Sequence, residues 1–491
     1  MRPMSKFELF RARAGGRPPV RSGARRPSPS AWRLLAGLLL LLLATACASR
    51  PDLARLYQGL DDKPDQPPVI VMHGLGGSTL VDAESGKQVF PGSLGSLAFG
   101  TFRNLAQMST EDREGEGLVP GELFASVAGV DFYGQLLHSL ETVGRFHRGV
   151  PGQPVSTDGK GRRRYYVLVY DWRRDNVRTV RRLHELIEQI RMDYGDPNLR
   201  VDIVAHSNGG LIANYYLRYG PRDVLDEPGV PATWDEGDKR IRRLLMLGTP
   251  TLGSTTSLER LVHGMRVGLR MVPVEVLVTF ATPFQALPHP LEKPVLDTRG
   301  EPLALDIYDA QTWRAKHWGV FSPEVMERVR GSMDTPAEGE RALADLHATF
   351  DRHLRRARAW QWALSAPVPP TQVEVAVFGG DCELTPGHAV EVQEADGSRL
   401  AFRPGQVDLS LVPGQPRTRR IKQDFDRMMF EPGDGLVTRR SQVGHLGADE
   451  AAEGRFHPLP VAQTFFLCES HGRLTHNAYF QNNLLYFLLA R

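Results

Sequence analysis

Ser207 lies in Ala205-His-Ser-Asn-Gly209, directly after the apolar run Val201-Asp-Ile-Val204 and directly before the amphipathic stretch Leu211–Leu217. A strand, a sharp turn and a helix in that order hold a serine in a strained conformation with its hydroxyl above a sheet, provided the residues two before and two after it are small. Here they are Ala205 and Gly209, with one methyl group where glycine is usual. A serine hydroxyl is a poor nucleophile at neutral pH, so it needs a base within hydrogen-bond reach and a carboxylate that orients the base. Pro432-Gly-Asp-Gly-Leu-Val437 places Asp434 in a glycine-flanked turn, and Glu469-Ser-His-Gly-Arg473 places His471 directly after an apolar run. Serine, aspartate and histidine thus stand along the chain in the order nucleophile, acid and base. His476 lies between the same run and the next helix and is the alternative base; His471 stands nearer the strand end.

Attack on an ester builds negative charge on the carbonyl oxygen, which two preorganised N–H donors would stabilise by several kcal/mol. The backbone N–H of Asn208, next to the nucleophile, is one candidate. The other lies in the glycine-rich run His73-Gly-Leu-Gly-Gly-Ser78, where Leu75 is preferred to Gly76. His73 itself reads as part of the loop that shapes this site rather than as a base.

These residues need a scaffold that brings strand ends together. Pro68–Met72, Tyr165–Tyr170, Val201–Ala205, Leu244–Leu247, Val373–Phe378 and Gln463–Leu467 read as strands, with helical stretches near Phe132–Leu140, at Val177–Ile190 with apolar residues at helical spacing, at Leu211–Leu217 and at Ala478–Leu489. Alternating strands and helices call for a mostly parallel sheet covered on both faces, an α/β class chain. The expected organisation is a leader at 1–47, a polar tether at 48–66, core at 67–254 and 371–491, and between them a helical cap insertion at 255–370 where the strand pattern lapses. Helical runs at Pro323–Arg330 and Glu340–Leu364 fall in the cap, and residues 388–412 read as a polar hairpin excursion.

The first 33 residues are basic and precede Leu34–Ala46, a 13-residue apolar run too short to span a bilayer and laid out like a secretory signal. Leu43-Ala-Thr-Ala-Cys47 resembles the cleavage box of bacterial lipoproteins, which implies lipidation at Cys47, an N-terminal membrane anchor and, with Ala48 next, export to the outer membrane. The alternatives are an ordinary signal cleaved near Ala46 or a retained anchor. Residues 1–46 carry nine of the 60 Lys/Arg and one of the 57 Asp/Glu, leaving 51 basic and 56 acidic residues, a formal charge of −5 against +3 for the whole chain. The basic balance is therefore no argument for a nucleic-acid partner. Cys382 and Cys468 are the other cysteines. In an oxidising compartment they could pair as a disulfide, or stand as two buried thiols.

His-Gly-Leu-Gly-Gly-Ser at 73–78, Tyr-Asp-Trp-Arg at 170–173, Ala-His-Ser-Asn-Gly-Gly at 205–210, Gly-Thr-Pro-Thr-Leu-Gly at 248–253 and Gly-Asp-Gly-Leu-Val at 433–437 together resemble the lecithin:cholesterol acyltransferase-like α/β-hydrolase family. The resemblance covers roughly 66–254 and 371–490, not the cap, and implies an α/β-hydrolase fold. It also implies acyl transfer from a lipid ester through Ser207 to water or an alcohol, with Trp172 covering the acyl chain unless it is an ordinary buried tryptophan. The cysteine-closed lid of the animal enzymes has no counterpart pair here. No metal or cofactor is called for. A carboxylesterase or polyester hydrolase on the same residues, and a non-catalytic lipid-binding envelope protein, are the competing expectations; no residue bears on oligomeric state.

Overall fold

Six largely apolar segments and one short polar one form the strands β1 (Val69–Met72), β2 (His147–Arg148, the polar one), β3 (Arg164–Leu168), β4 (Val201–His206), β5 (Ile241–Leu247), β6 (Glu374–Gly380) and β7 (Val461–Leu467). They make one sheet in the order β7-β6-β5-β4-β1-β3-β2, with every neighbouring pair parallel. The structure, a computed structural model, describes residues 51–489 apart from 59–65, 92–116, 125, 128–129, 157–161, 268–269, 369–370, 395–396, 408–423 and 447–453. The expected leader, with Cys47, lies outside the described residues.

Alternation along the strands divides the core in two. Ile70, Met72, Ile203, Ala205, Leu244, Met246, Val375 and Val377 pack with α1 (Asn176–Asp193), α2 (Asn208–Tyr219) and the insertion. Val69, Val71, Val204, Leu245, Leu247, Ala376 and Phe378 face the other way, against Leu136 of a short helix at Gly134–His138 and the closing helix, whose Phe480, Leu484 and Leu488 are fully buried. A strand buried on both faces has no polar side to alternate with, which is why these segments read as near-continuous apolar runs. Each large side chain withdrawn from water contributes about 1.5–3 kcal/mol.

The insertion begins with α3 (Thr255–His263) and ends with α4 (Pro336–Ser365), a 30-residue helix started by a capping box between Thr335 and Glu338. Leu343, Leu346, Phe350, Leu354, Ala357 and Trp360 recur at helical spacing on its buried face. Phe350 meets Phe284, Trp313 and Phe321, and Trp360 stacks on Tyr215 of α2 with centroids 4.7 Å apart. The insertion's aromatic residues are thus core that joins it to the sheet. The closing helix, α5, is Ala478–Leu489.

Three features depart from the sequence reading. Part of the expected tether is docked: Leu53–Leu56 is helical, the Tyr57 hydroxyl donates to Asn482 O at 2.8 Å, and Gln66 Nε2 donates to Leu488 O at 3.0 Å. A three-stranded antiparallel sheet, Ser78–Asp82, Gln88–Phe90 and Leu118–Leu123, follows the glycine-rich loop. The hairpin Ala389–Glu394/Gly397–Ala401 takes Val295–Leu296 of the insertion as a third, parallel strand, so the insertion and the hairpin share one small sheet.

In a parallel sheet all carboxyl ends lie along one edge, and loops leaving that edge converge on it. The loops after β1, β4 and β7 carry His73–Gly77, Ser207 and His471, and Asp434 closes the short strand Phe430–Gly433 beside them.

Candidate active site

Ser207 has φ 55° and ψ −121°, a region that costs a non-glycine residue roughly 1–3 kcal/mol. The turn holds it there with two backbone bonds, Ser207 N to Leu247 O at 2.7 Å and Gly210 N to Ser207 O at 3.0 Å. A Cβ at Gly209 would stand 2.9 Å from His73 O and 3.0 Å from Met72 Cβ, whereas Ala205 fits its methyl group into the sheet core. Position 209 therefore has no room for a side chain, while position 205 tolerates the extra methyl.

His471 Nε2 lies 3.0 Å from Ser207 Oγ, and His471 Nδ1 lies 2.7 Å from Asp434 Oδ2. Asp434 is buried. Its Oδ1 accepts from Leu436 N at 3.0 Å and Val437 N at 2.8 Å, and its backbone oxygen accepts from His471 N at 2.8 Å. An acceptor-only carboxylate beside Nδ1 fixes the proton on that nitrogen and leaves Nε2 free to accept from the serine hydroxyl. The structure brings Ser207, His471 and Asp434 together, and His471 rather than His476 occupies the bridging position.

Leu75 and Asn208 border the same cleft, and neither backbone N–H donates to a described residue. A Cβ on Gly74 would lie 2.6 Å from Ser207 Cβ and 3.1 Å from its Oγ, so only glycine lets the loop come this close to the serine. His73 is fully buried and stacked on Tyr170, with ring centroids 4.1 Å apart and planes 5° apart. Its Nδ1 donates to Gly74 O at 2.8 Å and its Nε2 accepts from Tyr170 N at 3.3 Å; burial lowers its pKa to about 4. It is a neutral strut under the loop. The side chain of Asn208 is tied to Asn176 by paired bonds of 2.8 and 3.0 Å.

A second set of contacts was not visible in the sequence. Gly74 N donates to the Tyr133 hydroxyl at 3.0 Å, that hydroxyl donates to His206 Nδ1 at 2.7 Å, and His206 Nε2 donates to His471 O at 3.3 Å. Burial, reinforced by His471, holds the His206 pKa far below its ordinary value, so the ring stays neutral with its proton on Nε2; burial pushes the Tyr133 phenol up. One hydroxyl thus joins the Leu75 loop to the backbone of His471. His206 could have been suspected from its place beside Ser207, but no local pattern marks Tyr133.

Trp172 does not border the cleft. It is fully buried, its Nε1 donates to Ser78 O at 3.1 Å, and its ring packs edge-on against Phe90 and Phe280. The turn that follows β3 sets it in the core, which corrects the expectation that it covers an acyl chain. Cys382 and Cys468 form a disulfide with Cα atoms 5.0 Å apart, clamping the ends of β6 and β7 just ahead of His471.

The cleft over Ser207 encloses about 230 Å³. Leu75, Phe132, Pro250, Pro283, Leu436 and Val437 give it apolar walls, and Thr256, Ser257 and Arg260 of α3 form a polar strip. A larger cleft of about 950 Å³, between Arg173–Arg181 and α4, is lined by arginines and carboxylates and contains none of Ser207, Asp434 or His471.

No protein of curated function matches the chain. Among solved structures, a chain of the Tle4–Tli4 complex is similar over 86% of this chain and 98% of its own, with TM-score 0.51 and 14% identity. EstA from Clostridium botulinum (12% identity, 87% and 88% covered, TM-score 0.33) and the mature lipase BlEst2 of Bacillus licheniformis (11% identity, 87% and 93% covered, TM-score 0.31) also match. Residues 160–289, from β3 into the insertion, match the lecithin:cholesterol acyltransferase family, and the chain carries the α/β-hydrolase fold.

Proposed function

We propose that the chain is a serine acyl hydrolase or acyltransferase acting on lipid esters. The observation that carries this reading is the imidazole of His471, hydrogen-bonded to Ser207 on one side and to Asp434 on the other. As Ser207 Oγ attacks the ester carbonyl, its proton passes to His471 Nε2, and the buried Asp434 carboxylate stabilises the imidazolium. The oxyanion takes hydrogen bonds from the N–H groups of Leu75 and Asn208. Collapse of the tetrahedral intermediate breaks the bond to the leaving alkoxide, which takes the proton from His471; water or an alcohol then repeats the sequence on the acyl-enzyme.

The match of residues 160–289 supports a lipid ester as substrate. The cleft is smaller than the 300–1,000 Å³ of typical ligand pockets, so it takes the ester and a short length of chain. That volume favours a carboxylesterase as the second reading. The disulfide and the signal-like leader support export to the cell envelope, with Cys47 as the lipid anchor.

The test is labelling with a fluorophosphonate, which reacts only with an activated serine. Wild type is expected to label and Ser207→Ala not to. An unlabelled wild type, or equal labelling of both, overturns the proposal.

A further inference from the structure

Thr256, Ser257 and Arg260 share one face of α3 and line the cleft that holds Ser207 and His471. Thr256 already donates to Leu436 O at 3.2 Å. Arg260 differs: its guanidinium has no hydrogen-bond or ion-pair partner among the described residues. The adjacent carboxylate, Glu259, pairs with Arg403 at 3.7 Å and reaches Arg260 only through its field. Enclosure by protein lowers the Arg260 pKa, with Glu259 offsetting part of the effect; a guanidinium still keeps its charge at neutral pH.

Arg260 is half-buried, and other arginines enclosed in the fold are held by protein oxygens. Arg218 is held by Ala366 O and His457 O, and Arg243 by Glu374 together with Phe487 O and Leu488 O. Arg260 instead lines the cleft over Ser207, where the ester must sit. Its planar fork matches two oxygens of a carboxylate or a phosphodiester.

We propose that Arg260 is the anion-recognising residue of this cleft, so that the preferred substrates are esters carrying a negatively charged carboxylate or phosphodiester near the scissile bond. The inference rests on Ser207 being the nucleophile. A lipid would supply the charge as a glycerophospholipid phosphate, a soluble ester as a free carboxylate.

The experiment compares two matched pairs on wild type, Arg260→Met and Arg260→Lys. One pair is 4-nitrophenyl hexanoate and mono-4-nitrophenyl adipate; the other is dioctanoylglycerol and dioctanoyl phosphatidylglycerol. The readout is the ratio of kcat/KM for the anionic member to that for the neutral one. Arg260→Met should lower the ratio by about 10- to 100-fold, the range expected for a hydrogen bond to a charged group, and Arg260→Lys should fall between. A drop confined to the lipid pair identifies a phospholipid head group; a drop in both identifies a general anion preference. A ratio within threefold of wild type in both pairs overturns the proposal.

Binding separates this inference from the nucleophile reading. In the Ser207→Ala background, calorimetric affinity for dioctanoyl phosphatidylglycerol should weaken about 10- to 100-fold on adding Arg260→Met, and an unchanged affinity overturns the Arg260 proposal. Failure of wild type to react with fluorophosphonate while this loss persists would sink the Ser207 reading alone.

Discussion

Tyr133→Phe removes one oxygen and leaves the ring in place, which isolates the link between the Leu75 loop and the His471 backbone. The lost hydroxyl strands two buried groups, the Gly74 N–H that donates to it at 3.0 Å and the His206 Nδ1 that accepts from it at 2.7 Å. An unsatisfied buried polar group costs roughly 1–3 kcal/mol, so the variant should lose about 2–6 kcal/mol of stability. With an unfolding entropy of about 2.1 cal/mol/K per residue, the unit from Asp52 to Arg491 should lose about 1 °C of Tm per kcal/mol, or about 2–7 °C in all. The Gly74 half of the loss falls on the loop that carries the Leu75 N–H. If that loop is held in place by this bond, about 1–3 kcal/mol should reappear in the barrier, lowering kcat about 5- to 150-fold. The assay is calorimetric melting beside ester kinetics and the second-order rate of fluorophosphonate inactivation, since both reactions draw on the same N–H donors. A lower Tm with kcat within twofold of wild type would show the bond to be structural only and refute the positioning argument. An unchanged Tm would refute the bonds themselves.

Two further outcomes concern the disulfide and a buried imidazole. The Cys382–Cys468 disulfide closes a loop of 86 residues, for which chain entropy predicts roughly 4–5 kcal/mol; Cys382→Ser/Cys468→Ser should lower the urea midpoint accordingly and lower kcat as well, because His471 leaves the same strand end, and equal midpoints and rates would refute this. His73 has a pKa of about 4 in the fold through burial against an ordinary 6.5, so the unfolded chain takes up a proton first as pH drops: stability is whole above pH 6.5 and falls by up to about 3 kcal/mol on approaching pH 4, with buried His289, also at about 4, acting in the same direction. A urea midpoint that stays level from pH 7 to 4.5 would refute that account.

What the sequence made legible was local. The sheet order and the short polar edge strand His147–Arg148 could not be read, but the other six strands could, because burial on both faces demands uninterrupted apolar runs such as Val69–Met72 and Val201–Ala205. The closing helix at Ala478–Leu489 and the helix at Pro323–Gly331 lie where periodicity puts them. The strand pairing of Val295–Leu296 with Ala389–Val390 was hidden, since two residues cannot express a period of two. Trp172 misled for a related reason. A tryptophan in the turn after a strand points into the cavity or into the core according to the neighbours it packs on, and these lie far away in sequence, Phe90 and Phe280.

The candidate site divides along the same line. Ser207 could be found because its turn is encoded within five residues, and Asp434 because a glycine-flanked aspartate accepts the N–H groups two and three residues on, at 3.0 and 2.8 Å. Tyr133 and Arg260 act over distances the chain does not display. Tyr133 reaches His206 across 73 residues, and its helix gives its hydroxyl no more prominence than any other. Gly74 and Gly209 stand between the two cases. Their glycines are plain in the sequence, but the atoms that forbid a side chain, Ser207 Oγ at 3.1 Å and His73 O at 2.9 Å, belong to each other's loops. Each loop therefore leaves out the Cβ that would push the other away, so the approach of serine and donor loop is a joint property of β1 and β4 packed side by side. A substitution at either glycine should for that reason harm the reaction centre before it harms the sheet.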